Sequence, residues 1–455
     1  MSNSEGSYAL PVELIEMIVE HIYPKDIDIT DDVYPEIKCS LLACTLISWS
    51  WHTVVRRYLF REVRWSFAQL DGPEGMALSN RHKRTFSMIC KFLKDFSTIA
   101  QSIRKLHLRH HRYSGFLTPV PEYSDFVSLL NLIPHLQELN LVDVAICHQG
   151  GAVYPPIQRC SLANMNICYY ANFNPSHLPE TYATCVGLQV LIKCVGRIDK
   201  LKLEGLGRLA WSVEVNPPPS TQADSRLFEP TIITSVTLDS TIRHDEKALP
   251  LLFSSCIRED TLRSITLQDT DFRFYDALLR SVGPRLESLR LPSGTSRVSV
   301  HEDATKSHFP SADYDYGNDD YAVIHYCLNL RELILDVGLD EDNYIIEDEL
   351  RALLNLLKGS QVVTSRYPNM ARLTLCLDMG DFGGPKVFVP GEDNFNVELD
   401  AFLMSVVTNT SISEISVQWS KSSDSDSIAY FESYVKSMFP SLSNSNGLRF
   451  RGVEV

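Results

Sequence analysis

Beyond residue 100 the chain repeats one arrangement of apolar positions: an apolar residue, two others, an apolar residue, one other, and a third apolar residue. The apolar residues of the ten clear copies are Ile103-Leu106-Leu108, Leu136-Leu139-Leu141, Leu162-Met165-Ile167, Ile198-Leu201-Leu203, Ile233-Val236-Leu238, Leu262-Ile265-Leu267, Leu286-Leu289-Leu291, Leu330-Leu333-Leu335, Met370-Leu373-Leu375 and Ile412-Ile415-Val417. The residue between the last two apolar positions is usually polar, as a short strand with one buried face requires. Each copy therefore predicts a strand.

Several segments between these strands carry apolar residues at helical spacing. The clearest predicted helices are Phe126–Leu132, Phe274–Val282, Glu349–Leu357 and Leu399–Val407. A strand followed by a helix, repeated in this way, resembles a leucine-rich repeat, in which strands line the concave side of a curved solenoid and helices cover the convex side. The spacing between copies runs from 24 residues (262 to 286) to 44 (286 to 330). Ordinary repeats take roughly 20 to 29 residues, so we expect insertions or further repeats between copies.

The start of the chain has helical rather than strand periodicity. Pro11 suits the first turn of a helix, and Glu13 suits its positive end. One apolar stripe recurs at steps of three and four residues and consists of Leu14, Ile15, Ile18, Val19 and Ile22. A polar loop follows, then a second predicted helix with Ile37, Leu41, Leu42 and Cys44. Ser48 is the predicted N-cap of a third helix, whose apolar side carries Trp51, Val54, Val55, Tyr58 and Leu59.

Short motifs in this stretch resemble the F-box, notably the form common in large families of mushroom-forming fungi. In order, they are Leu10-Pro11-x-Glu13-Leu14-Ile15, Leu41-Leu42-x-Cys44-x-Leu46, Ile47-Ser48-x-x-Trp51 and Tyr58-Leu59-Phe60-Arg61-Glu62-Val63. The connection from Ile22 to Leu41 is longer and more acidic than the family pattern. The resemblance implies docking on the Skp adaptor of a cullin-RING ubiquitin ligase. The residues implied in that contact, or in its immediate support, are Leu10, Pro11, Leu14, Ile15, Ile18, Leu42, Leu46, Trp51 and Val55.

We therefore expect an α/β chain with a small helical module ahead of a repeat array. The predicted divisions are an F-box at 8–62, a helical linker at 63–100 and a leucine-rich-repeat-like solenoid at 101–455. Acidic insertions are expected near 292–321 and 336–348. The alternative is that the N-terminal helices only cap the repeats, because about 50 residues bury too little surface to be comfortably stable alone.

Charge and composition narrow the class of partner. The formal net charge of -15 argues against general binding to nucleic acid or anionic membranes, both of which need clustered Lys and Arg. The 11 cysteines contain no C-x-x-C pair, and the sequence has no signal peptide and no apolar run long enough to span a bilayer. We expect a soluble cytoplasmic or nuclear protein with reduced thiols and protein partners.

Motifs of catalytic sites are present only in incomplete form. His301-Glu302 lacks a second histidine at the position a zincin needs, and Lys386 lacks the neighbours of a phosphate loop. We expect no enzyme, no metal and no cofactor. Binding is expected instead on side chains that alternate with the buried strand positions, and the predicted target surface is Lys105, His107, Arg109, Glu138, Asn140, Lys200, Lys202, Gln268 and Arg290. The leading hypothesis is a ligase substrate adaptor, and the alternative is a leucine-rich-repeat interaction scaffold without a ligase role.

Overall fold

The computed structural model divides the chain into two compact units. Unit 1 consists of Met1–Ile198 and Asn216–Phe228, and unit 2 of Asp199–Val215 and Glu229–Val455. The structure describes residues 10–23, 33–68, 86–111, 123–144, 160–169, 185–206, 230–239, 248–258, 260–268, 273–292, 324–338, 354, 357–358, 367–378, 395–412, 414–420, 433, 436–445 and 448–453.

Unit 1 begins with three helices packed on one another: α1 (Val12–Ile22), α2 (Val33–Thr45) and α3 (Trp49–Leu59). The Pro11 carbonyl accepts the first backbone hydrogen bonds of α1. The predicted N-cap of α3 is confirmed, because Ser48 Oγ accepts from the Trp51 N–H at 3.4 Å. A small core joins the helices and consists of Ile15, Val19, Tyr23, Leu41, Trp51, Val54 and Val55.

Strands and helices alternate through the rest of unit 1. In chain order they are β1 (Glu62–Ala68), α4 (Phe86–Asp95), α5 (Ser97–Ala100), β2 (Lys105–His111), α6 (Tyr123–Leu132), β3 (Glu138–Val142), β4 (Cys160–Cys168) and α7 (Cys185–Lys193). The strands β1 to β4 pair in parallel, in chain order. Their register aligns Val63, Leu106, Leu139 and Met165, so that one apolar row crosses all four strands.

One prediction for unit 1 is wrong. The interval 63–100 was expected to be a helical linker, but it begins inside β1, and only its later part carries α4 and α5. The residues Phe60, Val63 and Trp65 repeat the apolar spacing of the predicted strands. Because Val63 and Trp65 lie in register with Leu106 and Leu108, they continue the same sheet.

Strand β5 (Val195–Glu204) crosses the boundary between the units at residues 198 and 199. Unit 2 continues with β6 (Ile232–Leu238), α8 (Ala248–Cys256), β7 (Ser264–Leu267), α9 (Arg273–Val282), a 3-10 turn (Gly283–Arg285), β8 (Ser288–Pro292), β9 (Glu332–Gly338), β10 (Arg372–Asp378), α10 (Phe395–Asn409), β11 (Glu414–Ser420), α11 (Pro440–Asn444) and β12 (Leu448–Val453). Strands β6 to β12 also pair in parallel and in chain order.

The strand predictions beyond residue 100 are confirmed. In each of the ten motifs the last two apolar residues lie in a strand, and every apolar residue of the ten motifs is at most 3% exposed. The helices predicted at 126–132, 274–282 and 399–407 lie within α6, α9 and α10. Of the helix predicted at 349–357, the described Leu354 and Leu357 are helical. The fold is therefore α/β, with helices alternating with parallel strands, and the curvature of a solenoid stays a prediction.

The acidic insertions lie mostly outside the described residues. The first was placed at 292–321, of which Pro292 is the last residue of β8 and residues 293–321 are not described. The second was predicted at 336–348, but its first residue, Asp336, lies inside β9, so that boundary is wrong. There the Asp336 carboxylate accepts from Arg290 on β8, so an acidic residue that resembled loop in the sequence serves as a link between neighbouring strands.

Candidate functional site

Helix α1 has a buried face and an exposed apolar face side by side. Ile15 and Val19 belong to the core, with 1% and 0% exposure, while Leu14 and Ile18 are 43% and 41% exposed. Successive residues are turned by about 100° around a helix, so each of these pairs forms its own row along the axis. The core needs only one of the two rows, and the other is left at the surface.

The turn between α2 and α3 shows the same contrast. Leu41 is fully buried, but the following Leu42 is 50% exposed and Leu46 is 86% exposed. Ile47 and Trp49, which flank the N-cap of α3, are 60% and 81% exposed. An apolar residue before an N-cap often packs on the fourth residue of the helix. That residue is His52, whose ring stacks on Trp49 with centroids 5.5 Å apart, and Ile47 stays largely exposed.

Exposed apolar side chains are concentrated on this helical module. Among the described residues, thirteen large hydrophobic side chains are exposed, and nine of them lie between residues 10 and 49. We call these nine the exposed apolar surface: Leu10, Val12, Leu14, Met17, Ile18, Leu42, Leu46, Ile47 and Trp49. Because scattered exposed apolar residues are normal and concentrated ones are not, this surface is the strongest candidate for a binding site.

The structure divides the nine predicted docking residues into two groups. Those at the surface are Leu10, Pro11, Leu14, Ile18, Leu42 and Leu46. The other three, Ile15, Trp51 and Val55, are buried in the core of the module, so they support the surface and cannot contact a partner in this conformation. The sequence prediction missed Val12, Met17, Ile47 and Trp49. For Met17 the signal was present, since it is one turn from Leu14 on the same side of α1.

The acidic side of α1 is held by α3. Tyr58 donates a hydrogen bond to Glu20 Oε1 at 3.1 Å, and Arg57 lies 3.8 Å from Glu16. Burial, followed by the hydrogen bond to Glu20, raises the pKa of Tyr58 to about 12, so its hydroxyl stays a donor at neutral pH. These contacts orient α1 so that Leu14 and Ile18 face away from the core.

A buried polar cluster around Glu62 connects the helices to the first strands. The Glu62 carboxylate is 4% exposed and accepts from Tyr23 Oη at 3.0 Å and from Arg64 Nε at 2.5 Å, while His107 Nε2 lies 3.5 Å away. Lys38 on α2 donates to the carbonyl oxygens of Leu59 and Glu62, the latter at 3.2 Å. Burial lowers the pKa of Lys38 to about 8 and holds the pKa of His107 below its ordinary value. The position of the helical module is therefore fixed by charged groups as well as by apolar packing.

Several residues of the predicted target surface are engaged within their own units. Lys105 lies 2.9 Å from Glu138 on the neighbouring strand, His107 faces the Glu62 cluster, and Arg290 Nε contacts both carboxylate oxygens of Asp336. The rest of that set comprises Arg109, Lys200 and Gln268, which are exposed, Asn140, which is half-buried beside Asn166, and Lys202, which pairs with Glu204. These side chains alternate with the buried strand positions as predicted, but the geometry singles out no binding site among them.

The described residues contain neither a candidate metal site nor a membrane-spanning helix. No group of three or more His, Cys, Asp or Glu side chains in that part of the chain stands where it could hold a metal ion. No helix within the same residues is both long and apolar enough to cross a membrane.

Comparison with known proteins identifies no family for this chain. The sequence matches no protein-family model, and no curated protein matches it. The exposed apolar surface, supported by its own small core, is therefore the feature from which a function is argued.

Proposed function

We propose that this chain is a substrate-recognition adaptor of a cullin-RING ubiquitin ligase. In this proposal the exposed apolar surface docks on a Skp-family adaptor, and the strand and helix array holds a target protein. The observation that supports it most directly is the exposure of Leu14, Ile18 and Leu42, which are implied in docking by the F-box resemblance. The adaptor would carry out no bond chemistry, since its effect is to raise the local concentration of target lysines near the ligase.

Burial of the exposed apolar surface would supply part of the free energy of binding. Burying a Leu, Ile or Met side chain completely stabilises by about 1.5–3 kcal/mol, so burying one from half exposure contributes about 1 kcal/mol. The nine residues together then supply on the order of 10 kcal/mol. That total is comparable with the rigid-body entropy lost on association, roughly 4–15 kcal/mol, so polar contacts at the rim would decide the final affinity.

Co-purification with a Skp-family protein tests the proposal. The full chain is expected to bind the adaptor, and the double variants Leu14→Asp/Ile18→Asp and Leu42→Asp/Leu46→Asp are expected to lose binding without unfolding, because all four side chains are exposed. Val397→Asp is the matched control, since Val397 is also an exposed apolar residue on a helix, at 64%. Equal binding by the wild type and both double variants would refute the docking surface.

The second candidate is a repeat scaffold without a ligase role, in which the helices act as a cap. The Glu62 cluster favours it, because Tyr23 and Lys38 on the helices bond to the first residue of β1. Deletion of residues 1–62 separates the two: a cap predicts that the remaining chain aggregates, whereas a docking module predicts a folded chain that has lost only the adaptor. Aggregation together with no adaptor binding by the full chain would select the scaffold.

A further inference from the structure

The residues that precede the first strands of unit 1 form a row. The carbonyl of Arg61, just before β1, accepts from the Arg104 N–H at 2.7 Å, and the carbonyl of Arg104 accepts from the Gln137 N–H at 2.8 Å. We call these three residues the Arg61 row. Neighbouring strands lie about 4.8 Å apart, so the row places two guanidinium groups on adjacent strands. No carboxylate belongs to the row.

The equivalent row in unit 2 contains a carboxylate between its two arginines. There the carbonyl of Arg263 accepts from the Glu287 N–H at 2.8 Å, and the carbonyl of Glu287 accepts from the Arg331 N–H at 2.8 Å. The Glu287 carboxylate lies between the two arginines, at 3.7 Å from one and 3.4 Å from the other. We call these residues the Arg263 row. In the Arg263 row a carboxylate separates the two arginines. In the Arg61 row, Arg61 and Arg104 are adjacent with no carboxylate between them.

The Arg61 row opens onto a groove of about 780 Å³ that gathers further positive charge. Arg56 and Arg57 of α3 line it beside Arg61 and Arg104, and the only carboxylate among its described lining residues is Glu16, which lies 3.8 Å from Arg57. Hydroxyl groups complete the lining, among them those of Thr53, Thr98 and Ser102. Four arginines against one carboxylate form a local excess of positive charge in a chain whose net charge is -15.

Neutral groups hold these arginines in place without cancelling their charge. Arg104 Nη1 donates to the carbonyl oxygens of Gln101 and Ile103 at 2.8 and 3.2 Å, and Arg56 Nη2 donates to Thr98 Oγ1 at 3.1 Å. Burial, and then the neighbouring Arg61 charge, lower the pKa of Arg104 from its ordinary value. Two of the four arginines are thus held in place with their charge intact, which favours the binding of an anion.

We propose that this groove binds a small anion bearing phosphoryl groups. The planar fork of arginine matches two oxygens of a phosphoryl group. The Thr98 hydroxyl accepts from Arg56, so its own hydrogen can be donated to a further oxygen. The groove volume falls in the range of about 300–1,000 Å³ found for small-molecule sites, and it exceeds the space that one inorganic phosphate fills. Two linked phosphoryl groups therefore fit the charge and size better than one.

Calorimetric titration of the full chain with inorganic pyrophosphate, at an ionic strength fixed with chloride, tests the proposal. We expect saturable binding of pyrophosphate and weaker binding of orthophosphate. Arg61→Gln/Arg104→Gln is expected to weaken pyrophosphate binding about a hundredfold, since each charge-assisted contact contributes about tenfold or more. Arg263→Gln/Arg331→Gln removes the same charge from the Arg263 row and is expected to leave the affinity unchanged.

Folding of the variants is measured in parallel. Arg61→Gln/Arg104→Gln is expected to melt near the wild-type temperature when no anion is present, because the repulsion that it removes offsets the Arg104 hydrogen bonds to Gln101 and Ile103 that it loses. If that variant does not fold, Arg61→Lys/Arg104→Lys keeps the charge without the fork and is expected to bind pyrophosphate about tenfold more weakly. No saturable binding by the wild type, or an equal loss in both row variants, would overturn the proposal. Binding confined to a phosphoserine peptide would overturn the choice of a small ligand.

Discussion

One prediction concerns Lys38, which links helix α2 of the helical module to the end of α3 and the start of β1. Its ammonium group donates to the Leu59 carbonyl at the C-terminus of α3, where the helix dipole favours a cation, and to the Glu62 carbonyl at 3.2 Å. Burial lowers its pKa from 10.5 to about 8, against the opposing influence of the Glu62 carboxylate. The folded chain therefore keeps a charged group in a place that favours the neutral form.

The sign of the resulting pH dependence follows from proton uptake. Between pH 8 and 10.5 the unfolded chain holds a proton on Lys38 that the folded chain has released, so stability rises with pH in that window. Integrated from pH 7.5 to 9.5, these two pKa values give a rise of about 2 kcal/mol in the free energy of unfolding. Lys38→Met keeps the apolar stem and removes the titrating group, so the variant is expected to lack this rise.

Urea unfolding of both proteins at pH 7.5, 8.5 and 9.5 provides the measurement. The quantity to follow is the wild-type free energy of unfolding minus that of Lys38→Met, because all other titrations cancel in this difference. Lys91→Met, at an exposed position of α4, is the matched control, and its difference from the wild type is expected to stay constant. A Lys38 difference that changes by less than about 0.5 kcal/mol over the range, within the usual error of such comparisons, would refute the reasoning.

Three further predictions concern other buried contacts. Glu62→Gln should destabilise by on the order of 2 kcal/mol at neutral pH. Because burial lowers the pKa of His107 and the Glu62 carboxylate opposes that shift, the loss in urea unfolding should grow as the pH falls through the lowered pKa of His107. Asp400→Ala should cost about 3 kcal/mol, since the 2% exposed carboxylate accepts two backbone N–H groups of α11 at 2.8 and 3.0 Å, and Asp400→Asn should cost less in the same assay. Gly283→Ala should lower stability by about 1–3 kcal/mol in thermal unfolding, because a Cβ there would lie 3.1 Å from the Tyr326 backbone and side chain.

The strands beyond residue 100 were predictable because their burial is dictated by local spacing. The last two apolar positions of a motif, such as Ile265 and Leu267, are two residues apart and so share one side of a strand, while the first, here Leu262, is buried just before the strand begins. Strand β12 escaped prediction because Ser445 stands where the first apolar residue of the pattern would be, although Leu448 and Phe450 fill the other two places.

The exposed apolar surface was predictable only to the level of a helical stripe. Leu14 and Ile15 are both apolar and adjacent, and the sequence pattern treats them alike. Which of them becomes core depends on where α3 packs, and that is set by contacts such as Tyr58 to Glu20, between residues far apart in the sequence. Separation of a contact residue from a supporting one therefore required the tertiary structure.

The positive groove lay beyond sequence pattern altogether, for a reason that also bears on how such sites arise. Arg61 and Arg104 are separated by 43 residues (61 to 104), and nothing in the chain between them marks a shared position. They become neighbours because the strand register repeats the same backbone position in successive strands. In such an array a single substitution before a strand adds a charge to a row, and the residues on both sides add to that charge or offset it, as Glu287 partly offsets Arg263 and Arg331. A charge excess at one row therefore depends on the residues that successive strands place there. An anionic ligand would respond to the sum of those charges.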